Sequence, residues 1–321
     1  MNILITSAGR RVSLVRAFRK EARKVESESK IFTVDLNPGL SSACQISDRS
    51  FKVPKVTSPD YISTLTDLCA DHNVDLLIPT IDPELPILSE NKEQMEKSGV
   101  KVVVSQKELV KACQDKRNTI AFFEEKDIPT PQIIERDNLR YPIYAKPCDG
   151  SSSENNYVIK DASELRDYHL EDEKLLFFEY LDHQMHDEYT LDLYYDRNSD
   201  LKCVVPRKRI EVRGGEVNKG LTEKNLLVTY VKEKLGYISG ARGCLTLQLF
   251  LNKETQDIHG IEINPRFGGG YPLSYLSGAN FPKWLIEEYL FDQPIEYYEK
   301  WEANLLMLRY DDEVLVHGYG N

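Results

Sequence analysis

Zinc and thiol-redox motifs are missing from this chain. Its six cysteines, Cys44, Cys69, Cys113, Cys148, Cys203 and Cys244, are far apart; none forms a CxxC, and no Cys/His cluster has zinc spacing. At the start, the apolar stretch NILIT precedes the basic residues, the reverse of a secretory signal. Reduced thiols and a cytoplasmic location are therefore expected. No apolar run approaches membrane-spanning length, so no membrane association is expected. Positive charge is short: the formal net charge is −11 at pH 7, which argues against a general nucleic-acid binder. A local basic cleft remains compatible with that balance. Glycine is sparse where a dinucleotide fold needs it. The first strand ends in SAGRR, with Gly9 alone in place of a GxGxxG, although Asp35 ends the second strand where a ribose-binding acid would sit. A nicotinamide dehydrogenase fails on those glycines, and a Rossmann-like scaffold is expected instead. No internal repeat, low-complexity tract or convincing Ser/His/Asp or Cys/His set is present.

What is present is globular material. Over 321 residues, 41% are hydrophobic, enough for a sizeable core. The first hundred residues alternate: strand NILIT, a helix with Val12, Val15 and Phe18 on one face, strand IFTVDLN, helix YISTLTDLCADH, strand VDLLIPT, a helix closed by Gly99, and strand VKVVVS. This spacing predicts a parallel α/β sheet with helices on its faces. After a boundary near 105–108, a helix is expected over 107–126, then strand YPIYAKP, the loop CDGSSSENN, strand NYVIKD, helix ASELRDYHL and strand KLLFFEYL. From Glu188 the pattern becomes mostly strands: EYTLDLYYD, LKCVVPRKRIEVRGG, CLTLQLFLN and IHGIEINPR, with helices NLLVTYVKEKLG and FPKWLIEEYLF. The fold class is α/β and α+β.

Polar chemistry concentrates at a few strand ends. Lys146 closes an apolar, aromatic strand and a Gly/Ser loop follows it; a buried lysine calls for an anion, and such a loop brings backbone amides to phosphate oxygens. Glu262 and Asn264 are two apart, so on a strand they share a face. If their strand pairs antiparallel with LTLQLF, Gln248 lies opposite them, giving an oxygen-only set that suits Mg²⁺. Arg266 follows two residues on and could hold a transferring phosphoryl group. A surface hairpin with its polar residues outward is the plainer alternative.

The motifs YAKP, FFEYL, DEYTLD, LTLQLF and IEINPRFGGG resemble, in order and approximate spacing, those of the ATP-grasp superfamily, above all the ATP-binding halves of carbamoyl-phosphate synthetase and the carboxylate–amine ligases similar to it. The resemblance covers residues 116–291. More weakly, the first hundred residues look like a pre-ATP-grasp domain, with LSENKEQMEKSG similar to the biotin-carboxylase version. It implies an ATP-grasp fold with an N-terminal Rossmann-like domain at 1–107, a small lid unit at 108–181, and a large unit at 182–321 carrying the metal and substrate site. Lys116 would be the first basic contact to ATP phosphates, Lys146 would bridge the α/β-phosphates and the adenine side, and Gly150, Ser151, Ser152 and Ser153 would close over the phosphates. Glu179, Tyr180 and Leu181 would form the adenine hinge, and Glu188 would bind the ribose. Gln248, Glu262 and Asn264 would hold two Mg²⁺ ions, with Mn²⁺ as a substitute, and Arg266 would face the γ-phosphate or an acyl-phosphate. The phosphate loop departs from the family pattern: Cys148 and SSSENN stand where many relatives have an arginine and more glycine.

The implied activity is an ATP-dependent ligase joining a small carboxylate and an amine through an acyl-phosphate; a nucleotide-binding or regulatory protein with little turnover is the alternative. A homodimer is compatible with the resemblance. VVPRKRIEVRGG places Arg207, Arg209, Glu211 and Arg213 on one face if it is a strand. Arg209 and Arg213 are the candidates for a carboxylate clamp, the alternative being a solvated edge strand. Gly268, Gly269 and Gly270 would let substrate approach the backbone. Asp82 or Glu84 could meet a substrate amine or cap a helix, and His183 and His186 read as surface histidines.

Overall fold

The computed structural model describes residues 1–149 and 155–319. The candidate phosphate-loop residues Gly150, Ser151, Ser152 and Ser153 lie outside them.

The alternating N-terminal pattern folds as a parallel five-stranded sheet: β1 (Asn2–Ile5), β2 (Lys30–Asp35), β3 (Arg49–Lys52), β4 (Leu76–Ile78) and β5 (Lys101–Val102), in the order β3-β2-β1-β4-β5. Side chains alternate between its faces, so both must be apolar. Leu4, Val34 and Leu77 pack on one side with Leu65 and Leu88 of the covering helices. Ile3, Ile5 and Ile31 pack on the other with Val15 and Phe18 of the helix Val12–Val25. The strand β3 and the helix Ser42–Ile46 were not anticipated; RSFK is short and carries no apolar alternation. At the first turn, Gly9 adopts φ +47° and its N–H donates to Asp35 Oδ2 at 3.0 Å. The carboxylate that a ribose would need is thus spent on the turn, in agreement with a scaffold.

The helix expected over 107–126 is two helices, Lys107–Gln114 and Lys116–Glu125. Asp115 between them is extended, at φ −114° and ψ 128°, and its carboxylate accepts from Arg117 N. An aspartate that can cap a new helix ends the old one. A small antiparallel sheet follows: β6 (Ile143–Pro147), β7 (Tyr157–Ile159) and β8 (Leu175–Glu179), in the order β7-β6-β8. It has its own core of Ile143, Ala145, Ile159, Leu175 and Phe177. The helix beside it spans only Asp167–Glu171, because Ser163 bonds through both N–H and hydroxyl to Asp161 in a turn that competes with helix.

The remaining strands form a six-stranded antiparallel sheet: β9 (His186–Tyr195), β10 (Leu201–Arg213), β11 (Glu216–Thr222), β12 (Gly243–Asn252), β13 (Ile258–Asn264) and β14 (Leu306–Leu308). Their order is β13-β12-β9-β10-β11-β14. β11 and β14 escaped the sequence pattern, since EVNKGLT has little apolar alternation and β14 is three residues long. The core beneath this sheet is continuous with one face of the first sheet. Phe18 meets Phe267 edge-to-face, and Tyr275 donates to Glu21 Oε1 across the same seam at 2.7 Å.

Candidate active site

The three sheets enclose a cavity of about 560 Å³. Lys116, Lys146, Glu179, Tyr180, Leu181 and Glu188 line it. So do Arg209, Gln248, Glu262, Asn264 and Arg266. Arg213 does not.

Lys146 stands on β6 with 7% of its surface exposed. Its Nζ lies 4.8 Å from the Phe178 ring centre, and among the described residues no carboxylate pairs with it. Burial pushes the ammonium down to about 8, with Lys116 acting in the same direction and Glu262 and Glu188 opposing. Lys116 opens the helix Lys116–Glu125, where its backbone N–H donates to Cys148 O. Tyr180 and Leu181 line the cavity just past the end of β8 and have no strand partner in its pairing with β6. Glu179 is anchored instead: its carboxylate accepts from Gln132 N and its N–H donates to Gln132 O. Glu188 is held by Arg209, whose Nε stands 3.0 Å from its carboxylate.

The expected antiparallel pairing of β12 with β13 is present, and it sets Gln248 directly opposite Glu262. Asn264 Nδ2 donates to Glu262 Oε1 at 2.8 Å, leaving Asn264 Oδ1 as the atom free for a cation. Among the described residues no group of three His, Cys, Asp or Glu is placed to hold a metal ion. One carboxylate and two amide oxygens do not cage a cation alone, but they suit Mg²⁺ shared with phosphate oxygens.

Arg266 reaches from the end of β13 to the first sheet. Its Nε and Nη2 both bond Asp82 Oδ2, at 3.1 and 2.5 Å. Asp82 is therefore a partner for arginine, neither a helix cap nor a bare acceptor for an amine. Glu84 is fully buried and accepts from Thr6, Ser7 and Tyr61, so it cannot reach substrate.

The basic strand β10 needs correction. Its register shifts between Arg209 and Glu211 and again between Glu211 and Val212. These bulges break the two-residue period. Arg207 and Arg209 face the cavity, while Arg213 turns outward to Asp311. Arg209 is also occupied, donating to Thr190 Oγ1 at 3.2 Å and to Gly215 O at 3.3 Å besides pairing Glu188. Lys208 pairs with Asp187 and Lys219 with Glu211.

Gly268, Gly269 and Gly270 line the cavity, and two of them are also closely packed by side chains. A Cβ on Gly269 would lie 2.4 Å from Glu216 Cδ, and one on Gly270 would lie 2.1 Å from Arg207 Nη1. Their bareness accommodates the protein's own Glu216 and Arg207. His183 is exposed, as expected, at the cavity's edge and edge-to-face with Phe250, whereas His186 is half-buried and bonds Asp182 O and Asn252. Sequence reasoning missed Arg10, Arg11, Glu216 and Arg309. Arg309 bridges Glu216 and Gly269 O from beyond β14. No periodicity marks such contacts between distant segments.

Known proteins resemble this chain in sequence and in fold. Residues 3–103 match a family model described as the PylC-like N-terminal domain, and residues 171–310 match one described as ATP-grasp in the biosynthetic pathway with Ter operon. A carbamoyl-phosphate synthase of Methanobrevibacter smithii is 25% identical over 243 residues, 69% of this chain and 64% of that protein. The chain thus spans less than two thirds of that relative's length. The MgADP-bound biotin carboxylase domain of 2-oxoglutarate carboxylase from Hydrogenobacter thermophilus superposes with a TM-score of 0.70 at 14% identity, over 95% of this chain and 73% of that one. The L-amino acid ligase of Bacillus licheniformis gives 0.67 at 18% identity, over 92% and 75%.

Proposed function

We propose that this chain, a member of the ATP-grasp superfamily, is an ATP-dependent carboxylate–amine ligase. The observation that carries the reading is convergence: the buried Lys146, which no carboxylate pairs among the described residues, the oxygen set of Gln248, Glu262 and Asn264, and Arg266 all border one cavity. A buried ammonium beside an oxygen-donor set suits a nucleoside triphosphate.

In this reading a carboxylate oxygen of the acid attacks the γ-phosphorus of ATP. The bond from that phosphorus to the β–γ bridging oxygen breaks, and ADP leaves with its electron pair. The amine nitrogen then attacks the carbonyl carbon of the acyl-phosphate, the C–O bond to phosphate breaks, and the amine proton leaves with phosphate or to water. Gln248, Glu262 and Asn264 would hold Mg²⁺, which neutralises phosphate charge when bound. Lys116 and Lys146 bind phosphate oxygens, Tyr180 and Leu181 offer backbone groups to the adenine edge, and Glu188, steadied by Arg209, takes the ribose hydroxyls. Arg266, held by Asp82, faces the transferring group. The protein positions and neutralises, and no side-chain nucleophile is needed.

The test is ADP release from Mg·ATP with pools of carboxylates and amines, for wild type and Glu262→Gln. Acceptor-dependent ADP and phosphate that disappear in the variant support the ligase. ATP binding without turnover in any pool moves the reading to a nucleotide-binding protein.

A further inference from the structure

The end of the cavity nearest the first sheet holds more positive charge than the reaction at the metal end uses. Three arginines there are matched: Arg207 by Asp192, Arg266 by Asp82 and Arg309 by Glu216. Two are left over. Arg10 is exposed at the rim and forms no ion pair among the described residues. Arg11 shares Glu216 with Arg309, its Nη1 standing 3.8 Å from Oε1 while Arg309 Nη1 stands 3.1 Å from Oε2, and Arg11 Nη2 reaches Thr80 O at 3.5 Å. Its Nη1 is buried without a hydrogen bond. Burial lowers its pKa, with Glu216 and Asp82 opposing and Arg266 and Arg309 pressing in the same direction as burial.

Arg207 supplies a second, independent sign. Its side chain is 1% exposed; Nε and Nη2 bind Asp192 at 2.7 and 3.0 Å, while Nη1 is buried with no partner. That Nη1 stands against the bare Gly270, and both line the cavity. A buried guanidinium N–H without an acceptor is costly, and a bound anion would satisfy it. The acidic groups here, Asp82, Asp192 and Glu216, are each committed to arginine, so an ammonium would find no free carboxylate.

We infer that the acid substrate carries a second anionic group, a carboxylate or a phosphate, separate from the carboxylate that is activated, and that Arg10, Arg11 and the free edge of Arg207 receive it. The inference rests on the ligase reading for what happens to the acid, but its binding part stands apart.

Binding is measured by titration calorimetry with Mg²⁺ and the non-hydrolysable β,γ-imido analogue of ATP present, and turnover by ADP release with ATP. The probes are succinate against butyrate, and 3-phosphoglycerate against glycerate. Wild type binds at least one dianion about tenfold or more tightly than its monoanionic counterpart. Preference confined to the first pair assigns a carboxylate as the second group, and preference confined to the second pair assigns a phosphate. Arg11→Ala cuts the preference below about threefold, Arg11→Lys keeps most of it, and Arg213→Ala, an outward-facing control, keeps all of it. Equal binding within both pairs, absence of binding by all four probes, or a preference that survives Arg11→Ala overturns the inference. Dianion preference without ADP release in any amine pool overturns the ligase reading and leaves the binding inference standing.

Discussion

At the scale of single residues, Lys146 makes the pH dependence calculable. Its ammonium titrates near 8 rather than at the ordinary 10.5, because burial disfavours the charge. Phosphate oxygens need the protonated form. ATP affinity is therefore greatest below pH 8 and falls above it, by up to about tenfold per pH unit. Binding near pH 9 takes up a proton. In the nucleotide-free protein the sign reverses: between about 8 and 10.5 the unfolded chain binds more protons than the folded one, so this group makes stability rise with pH across that window. Titration calorimetry in buffers of differing ionisation enthalpy reads the uptake, and Lys146→Arg should bind with no uptake at pH 9. Glu262 is the sole carboxylate of the oxygen set and also accepts from Asn264. Glu262→Gln is expected to lower ADP release by about a hundredfold or more, measured in a coupled assay, with the fold intact by circular dichroism.

At the scale of elements, the turn after β13 depends on close packing of β10 and β11 against glycine. Arg207 comes from β10, Glu216 and Val217 from β11, and all three fill space that a side chain at 269 or 270 would need. Gly270→Ala would place its Cβ 2.1 Å from Arg207 Nη1 and 2.6 Å from Val217 Cγ1. The expected cost is about 1–3 kcal/mol in denaturant unfolding, together with weaker acid binding as Arg207 is displaced. Pairing of β12 with β13 was legible because both are long apolar runs with polar residues at matching positions. The bulges in β10 were not legible, since an extra residue in a strand leaves no mark on composition. They decide that Arg209 faces inward and Arg213 outward.

At the scale of the whole molecule, the first sheet and the six-stranded sheet share one apolar core, whereas the three-stranded sheet has its own. Among the polar links across the shared seam at the cavity is Arg266 to Asp82, between side chains 15% and 29% exposed. Asp82→Asn leaves that guanidinium without its counter-charge in a half-buried setting. The expected loss is about 1–3 kcal/mol of stability, read by thermal unfolding, with a raised KM for the acid as Arg266 loses its orientation. An Arg213→Ala control, which breaks only the outward pair with Asp311, should leave KM unchanged.

The amino-acid sequence by itself determined the strands whose two-residue or continuous apolar pattern demands burial, the parallel character of the first unit, and the shared face of residues 262 and 264. Each follows from local periodicity, which the backbone expresses wherever a hydrophobic face must be covered. Only the tertiary structure decided which cations converge. Arg11 from the first sheet, Arg207 from β10 and Arg309 from beyond β14 line or adjoin one pocket because the shared core brings their elements together, and that closeness has no period in the chain. Likewise, Glu216 and Arg207 fill the space over Gly269 and Gly270, so those glycines serve packing before they serve substrate.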